Sequence, residues 1–190
     1  MNSLAVFCGS SAGDDPSYSH AAAALGHELA ARKITLVYGG ASVGLMGACA
    51  DAVLSDGGTV IGVIPEILQK REITHPRLSK LYIVPGMHER KAKMMELADA
   101  FLALPGGTGT MEEIFEAITW SQIGLHRKPC AFYNVSGYYT PLARFLDHMV
   151  ERRFLSVDYR SKLIMSDSLD TIMQDFATYE PPKVKTYARR

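Results

Sequence analysis

A short segment rich in glycine and threonine, followed by two glutamates, carries the clearest chemistry in the sequence. Residues 105–113 read Pro-Gly-Gly-Thr-Gly-Thr-Met-Glu-Glu and follow the apolar run Ala100–Leu104. This order predicts a strand, a tight turn and then a helix. Glycine lets the backbone approach a ligand closely, and the first turn of a helix presents free N–H groups to an anion. Phosphate is the anion that the segment favours, although one glycine loop can also be a simple turn.

Two further glycine loops, Gly9–Gly13 and Gly39–Gly47, each follow a short apolar run. In a parallel sheet, ligands bind at the loops beyond the carboxyl ends of the strands. Three glycine loops at strand ends therefore favour a phosphate site over three unrelated turns. We expect Gly39 and Gly40 to help Gly107–Thr110 hold the phosphate.

Two common phosphate-binding motifs are excluded by the residues at their key positions. Residues 39–46 have the glycine spacing of a P-loop, but Leu45 and Met46 stand where a lysine and a serine or threonine must hold phosphate and magnesium. Residues 107–112 begin like a dinucleotide fingerprint, but Glu112 replaces its third glycine. Walker-type hydrolysis and a nicotinamide cofactor are therefore not expected.

The two glutamates, Glu112 and Glu113, fall in the first turn of the predicted helix. Adjacent helical residues point about 100° apart, so only one of them need face a ligand. A carboxylate at this position also interacts favourably with the helix dipole, and helix capping is the alternative role for either residue. Because a carboxylate repels phosphate, a glutamate that faces the ligand suits a sugar or an attacking water better.

A second cluster, Gly86-Met87-His88-Glu89-Arg90-Lys91, opens the helix after the fourth predicted strand. Arg90 and Lys91 could bind a phosphate or a purine, and arginine offers a planar fork of donors. A solvated basic helix face is the alternative. Cations in a first helical turn oppose the helix dipole, which favours a functional role here. His88 is equally well explained as a surface histidine.

Alternating strands and helices must position these loops. Short apolar runs alternate with helical periods, which predicts one Rossmann-like, doubly wound α/β domain over residues 1–179, with helices on both faces of a parallel sheet. The seven predicted strands are Leu4–Cys8, Ile34–Tyr38, Thr59–Ile64, Leu81–Val84, Ala100–Leu104, Pro129–Tyr133 and Lys162–Met165.

Helix signals fall between these strands. Asp15 followed by Pro16 predicts an N-cap and a first helical residue, and Gly57-Gly58 predicts a helix end. The basic segment 180–190 is expected to be mobile. The predicted helices are Ser17–Arg32, one that follows the loop 39–44 and ends at about Ser55, Met87–Leu97, Thr110–Gly124, Thr140–Arg153 and Ser168–Thr178, with a short helix in the loop 66–79.

Composition limits the remaining classes of function. Hydrophobic residues make up 47% of the chain, and 20 basic side chains balance 20 acidic ones, so no net charge favours nucleic acid or an anionic membrane. The sequence has no signal-peptide pattern and no long apolar run, which predicts a cytoplasmic protein. The three cysteines and six histidines lack metal-ligand spacing, so buried, reduced thiols and no metal are expected.

The motifs at 86–91 and 105–113 together resemble those of the LONELY GUY (LOG) proteins, whose signature PGGxGTxxE is preceded by an Arg-Lys pair. The resemblance covers nearly the whole chain from Val6 to Phe154 and departs at no signature position. It continues through Tyr38–Gly40, Gly44–Gly47, Ile61–Pro65, Ile118–Gly124 and Asn134–Tyr139.

This resemblance implies a cytokinin riboside 5′-monophosphate phosphoribohydrolase, an N-glycosyl hydrolase that also cleaves AMP in many bacterial relatives. It implies a homodimer, or a higher oligomer, with sites near the subunit interface and no cofactor. Arg90 and Glu113 are then the expected catalytic residues. The expected nucleotide site comprises Gly39, Gly40, Glu72, Lys91, Gly106, Gly107, Thr108, Gly109, Thr110, Met111, Glu112 and Thr119.

Two other interpretations compete with this one. Molybdenum-cofactor carrier proteins resemble the same fold and glycine-rich turn, so a non-enzymatic nucleotide or cofactor carrier is the alternative. Such a carrier needs the phosphate cradle but not the pair Arg90 and Glu113. Related sequences often bear the label lysine decarboxylase, but that reaction needs pyridoxal phosphate on a lysine with a pyridinium partner. Lys91 and Lys93 flank an arginine and offer no such arrangement.

Overall fold

The computed structural model describes residues 1–69 and 74–184, and their strands form one parallel sheet of seven. The strands are β1 (Ser3–Phe7), β2 (Thr35–Tyr38), β3 (Val60–Pro65), β4 (Lys80–Val84), β5 (Ala100–Ala103), β6 (Cys130–Tyr133) and β7 (Ile164–Ser166). The helices are α1 (Pro16–Ala31), α2 (Gly44–Ser55), α3 (Glu66–Gln69), α4 (Met87–Leu97), α5 (Thr108–Gln122), α6 (Thr140–Glu151), α7 (Val157–Ser161) and α8 (Leu169–Ala177).

The strand order, β4-β3-β2-β1-β5-β6-β7, confirms the predicted doubly wound sheet. The chain moves outward from β1 to β4 and then returns to the other side of β1, where β5 pairs with it in register Leu4 to Ala100. The loops after β1 and β5 therefore leave the sheet in opposite directions. A ligand-sized cleft opens at such a switch point.

Helices cover both faces of the sheet because side chains alternate along each strand. In β1, Leu4 and Val6 face a core formed with α1, α2 and α8, whereas Ala5 and Phe7 face a second core formed with α4 and α5. Strand β4 lies at the far edge of the sheet, and α4 packs back across β3, β2 and β1. This path brings the start of α4 to the cleft.

The ends of the elements follow their capping chemistry. The carboxylate of Asp15 accepts a hydrogen bond from the N–H of Ser17 (2.8 Å), and Pro16 opens α1 as predicted. Helix α5 begins at Thr108 rather than Thr110, because Gly107 already has the extended backbone of an N-cap. Helix α7 was not predicted, although Ser156 caps it by accepting from the N–H of Tyr159.

The three cysteines are buried free thiols, as predicted, and burial raises the pKa of Cys49 to about 12. Of the basic C-terminal segment, residues 180–184 are described, and the carbonyl of Lys183 accepts a hydrogen bond from Tyr159 Oη (2.8 Å). Residues 185–190 lie outside the described residues. Within the described ranges, no helix is both long and apolar enough to cross a membrane.

The imidazole of His126 is held in one neutral form. Its Nδ1 accepts from the backbone N–H of Lys128 (3.2 Å), so Nε2 carries the proton and donates to the carbonyl of Ala117 (2.9 Å). Burial lowers the pKa of His126 below its usual 6.5, although the Ala117 hydrogen bond opposes this. Below about pH 6.5 the unfolded chain therefore gains a proton that the folded chain does not, and the free energy of unfolding should fall with pH.

Urea denaturation between about pH 7.5 and pH 5.5 measures this loss of stability. His126→Gln removes the titrating group and should flatten the pH dependence. A pH dependence that is the same in His126→Gln as in the wild type would contradict the prediction.

Candidate active site

A cavity of about 390 Å³ lies at the switch point, over the carboxyl ends of β1, β2 and β5. Loops that follow three different strands and the first turns of α4 and α5 form its walls. The lining residues are Val6, Phe7, Cys8, Gly9, Ser10, Gly39, Met46, Leu68, Met87, Arg90, Gly107, Thr108, Gly109, Thr110, Glu112 and Glu113.

The N-terminus of α5 forms one wall. Its N-cap, Gly107, has no side chain that could accept a hydrogen bond from the first N–H groups of the helix. Thr108 and Gly109 are exposed in the first turn. The first N–H groups of any helix lack acceptors within it, and they carry the positive end of the helix dipole. This wall could therefore hold an anion, and the phosphate site expected from the sequence remains a prediction.

The glycine turn before α5 is packed closely against its surroundings. A Cβ at Gly106 would lie 2.1 Å from Thr110 Oγ1 and 2.8 Å from the backbone nitrogen of Gly9, so only glycine fits. The N–H of Gly9 donates to the carbonyl of Pro105 (3.0 Å), and the N–H of Leu45 donates to the carbonyl of Gly9 (3.1 Å). The three glycine loops are thus held together at one site.

Arg90 supplies a positive charge to the cavity, although its side chain is buried. Its relative exposure is 7%, and Nη1 lies 3.9 Å from the sulfur of Met87. A Cβ at Gly39 would lie only 2.0 Å from Nη2, so the glycine leaves the space that the guanidinium occupies. Nε makes no hydrogen bond to any described residue. Burying a charged group that has an unused donor costs free energy. Residues kept in this state are typical of ligand-binding sites.

Glu113 and Glu112 both line the cavity, but their surroundings differ. Glu112 is exposed and its carboxylate pairs with Lys91, whereas Glu113 is partly buried. Burial raises the pKa of the Cys8 thiol, the negative charge of Glu113 raises it further, and Arg90 opposes the rise. Glu113 and Arg90 therefore both lie near Cys8, at the end of the central strand β1.

Lys91 joins two helices rather than lining the cavity. Its ammonium group is buried and contacts the carboxylates of Glu112 and Glu116 on α5, the second at 3.0 Å. Burial would lower the pKa of Lys91, but the hydrogen bonds that its ammonium group donates to the two glutamates outweigh this effect, and the pKa is raised. Lys91 thus stays charged and holds α4 against α5, one layer behind the residues that a ligand would touch.

Other expected site residues lie away from the cavity. Gly40, in the left-handed conformation (φ 84°), turns the chain after β2, and its carbonyl accepts from the N–H of His75 (2.9 Å). Met111 packs against the second core. Thr119 is exposed and its hydroxyl donates to the carbonyl of Phe115 (2.7 Å). Glu72 lies outside the described residues.

The sequence reasoning missed the apolar part of the cavity. Met46, Leu68 and Met87 line it. The two methionines lie inside segments that carry the family resemblance, Gly44–Gly47 and 86–91. Flexible, polarizable methionine suits a surface that packs against a flat ring. Their positions beside the glycines and Arg90 were the signal that could have identified them.

The fold and the cavity define a Rossmann-like α/β protein with a cleft at the switch point of its sheet, beside an uncapped helix N-terminus. A family model described as possible lysine decarboxylase matches residues 46–176. The cytokinin riboside 5′-monophosphate phosphoribohydrolase LOG7 of Arabidopsis thaliana is 49% identical over 178 residues, covering 94% of this chain and 82% of its own. The corresponding enzyme of Rhodococcoides fascians is 47% identical over 169 residues, 88% of this chain and 85% of its own. The chain belongs to the LOG family of phosphoribohydrolases.

Solved structures with the same fold include molybdenum-cofactor proteins, the class whose resemblance in fold was noted from the sequence. The molybdenum cofactor binding protein of Rippkaea orientalis has a TM-score of 0.69 at 16% identity, covering 94% of this chain and 96% of its own. A Moco carrier protein from Chlamydomonas reinhardtii has a TM-score of 0.70 at 18% identity, covering 94% and 99%. At these identities the likeness concerns the fold alone.

Proposed function

We propose that this protein hydrolyses the N-glycosidic bond of nucleoside 5′-monophosphates and releases the free base and ribose 5-phosphate. The substrates are cytokinin riboside 5′-monophosphate, AMP or both. One observation carries the proposal: Arg90 and Glu113 line the same cavity as the uncapped N-terminus of α5. The names of the relatives that match nearly the whole chain support it.

Helix geometry sets the distance between the phosphate and the carboxylate. Glu113 lies five residues beyond Thr108 in α5, a rise of about 7.5 Å along the axis. Helical side chains lean toward the N-terminus, which brings the Glu113 carboxylate back toward the anion site. A nucleotide whose 5′-phosphate rests on the amides of Gly107–Thr110 then presents its ribose to Glu113.

In the proposed reaction a water adds to C1′ of the ribose. The bond from C1′ to the base nitrogen breaks, its electron pair leaves with the base, and the base gains a proton. Glu113 stabilises the positive charge that develops at C1′ and positions the water, as carboxylates do in glycoside hydrolysis. Arg90 orients the nucleotide or assists departure of the base through charge-assisted hydrogen bonds.

The decisive experiment incubates the purified protein with AMP and with isopentenyladenosine monophosphate, and measures free base and ribose 5-phosphate by chromatography. Adenosine, which lacks the phosphate, serves as the control and should be a poor substrate. Release of base supports the hydrolase, and the faster nucleotide identifies the preferred base. Binding of both nucleotides without release of base would instead support the carrier alternative.

Gly39→Ala tests the position of Arg90 without removing it. The new methyl group would lie 2.0 Å from Nη2, so the guanidinium must move, and misplacement by about 1 Å can lower a rate roughly 100-fold. We expect a kcat at least about 10-fold lower, measured as adenine release from AMP. If the effect acts through Arg90, adding Gly39→Ala to Arg90→Met should cause no further loss. Additive losses would contradict this assignment.

The quaternary state and the location form a second part of the proposal. We propose that the protein is a cytoplasmic homodimer in which residues 1–179 form one catalytic domain. The exposed position of Thr119, away from the cavity of its own chain, supports a second subunit near the site. Light scattering coupled to size-exclusion chromatography measures the oligomeric state, and a monomeric mass at full activity would exclude the dimer as the working form.

A further inference from the structure

A second cavity of about 350 Å³ lies on the other side of the glycine turn before α5. It shares Gly9, Ser10 and Gly107 with the first cavity, so the turn is the partition between two open spaces. The second cavity is lined on its far side by the rings of Tyr18 and Tyr138. Because glycine has no side chain, a contact from another residue must help to fix the orientation of the peptide groups in this turn.

Tyr138 supplies such a group. Its hydroxyl donates a hydrogen bond to the carbonyl of Gly106 (2.7 Å) from the side of the second cavity. The carbonyl of Gly106 and the N–H of Gly107 belong to one planar trans peptide, so they point in opposite directions. Holding the carbonyl toward Tyr138 therefore directs the N–H of Gly107 away from the second cavity, toward the anion site.

Packing holds the Gly106 end of the peptide between Gly106 and Gly107, but the Gly107 end has no such support. Glycine on both sides allows backbone angles that other residues rarely adopt. A Cβ at Gly107 would meet no described atom within 4 Å, so packing does not restrict this residue. The orientation of this N–H thus depends on the hydrogen bond to its partner carbonyl.

The turn that carries Tyr138 is itself firmly held. Ser136 adopts the left-handed conformation (φ 50°), and its hydroxyl lies 2.8 Å from that of Ser17. The N–H of Tyr139 donates to the side chain of Asn134 (2.6 Å), and the Tyr139 hydroxyl donates to the carbonyl of Leu104 (2.6 Å). Two successive tyrosine hydroxyls therefore bind two carbonyls of the segment that enters α5.

We propose that Tyr138 is a positioning residue that orients the Gly106–Gly107 peptide toward the 5′-phosphate of the substrate. It acts through the backbone and does not touch the reacting atoms. The inference rests on the proposed function in one respect, that the phosphate is the 5′-phosphate of a nucleotide. The orientation of the peptide by Tyr138 rests on the geometry of the turn. It assigns a role in phosphate affinity to a residue outside the catalytic cavity.

Tyr138→Phe is the test, because it removes the hydroxyl and keeps the ring. One hydrogen bond is worth about a 3- to 10-fold change in binding. We expect KM for AMP to rise by about that factor while kcat changes less than about twofold. In calorimetry, AMP and inorganic phosphate should bind more weakly by a similar factor, whereas adenosine, which lacks the phosphate, should bind as it does to the wild type.

Tyr159→Phe is the matched control, because its hydroxyl also donates to a backbone carbonyl, that of Lys183, far from both cavities. It should leave all these constants unchanged. Wild-type affinity for AMP in Tyr138→Phe, or an equal loss for adenosine and AMP, would overturn the proposal. Calorimetry with inorganic phosphate, which has no bond to cleave, keeps the test separate from the proposed function. If no base is released from AMP, the affinities for AMP and inorganic phosphate still decide the role of Tyr138.

Discussion

Glu113→Gln is expected to lower the rate of base release from AMP by about 100- to 1,000-fold, the cost of removing one well-placed electrostatic group. Glutamine has nearly the same shape, but it carries no negative charge to stabilise the cation that forms at C1′. Binding should persist, and the Kd for AMP should be unchanged or lower because a carboxylate near the phosphate repels it. Single-turnover adenine release gives the rate, and calorimetry gives the Kd.

Glu96→Gln provides the control for charge alone. Glu96 is an exposed glutamate of α4 that pairs with Lys93 along the same helix, remote from the cleft residues. Its variant should release adenine at the wild-type rate. A folded Glu113→Gln protein that keeps more than about a tenth of the wild-type rate would remove Glu113 from the mechanism.

Arg90→Met should lower the rate by about 100-fold and yet leave the protein at least as stable as the wild type. Methionine keeps the apolar stem in its buried place and removes a charge whose Nε makes no hydrogen bond to the described residues. Removing a buried, incompletely paired charge relieves a desolvation cost. Enzymes often keep such destabilising groups where the reaction needs them. Adenine release and thermal unfolding measure the two effects.

Arg90→Lys distinguishes charge from shape, because lysine keeps the charge but lacks the planar fork of donors. If the fork orients the nucleotide, this variant should remain at least about 10-fold below the wild type. Arg160→Ala removes a partly buried arginine that pairs with Asp147 away from the cavity, and it should not alter the rate. Strong destabilisation in Arg90→Met would mean that Arg90 serves mainly to hold the fold together.

Local sequence signals predicted most of the elements. Helix α4 has the predicted ends, Met87 and Leu97, because Gly86 is its N-cap and the apolar strand β5 follows closely. The turn at Val135–Gly137 was not predicted. Both Ser136 and Gly137 adopt positive φ there, and serine gives no sequence signal for that conformation. The order of strands also cannot be read from sequence, since it depends on which runs pair over long distances.

The site was predictable where it depends on one helix and less so where two helices meet. The spacing from Gly107, the N-cap of α5, to Glu113 correctly placed a helix N-terminus and a carboxylate beside one cavity. The pairing of Lys91 with Glu112 and Glu116 depends on how α4 crosses the sheet, which no local pattern encodes. Thr119 lies seven residues beyond Glu112, about 10 Å along the axis, so a shared helix face does not bring it to the same cavity.

The pairing of β1 with β5 also constrains how the protein can be made. Leu4 pairs with Ala100, so about a hundred residues must leave the ribosome before the centre of the sheet is complete. Until then β1, whose side chains Leu4 to Phe7 end up buried, has one open edge that can pair with other chains. Contacts this distant in sequence form slowly. The cleft therefore forms only after more than half of the chain has been made, since its lining extends to Glu113. A nascent chain that ends before β5 has no site with which a nucleotide could stabilise it.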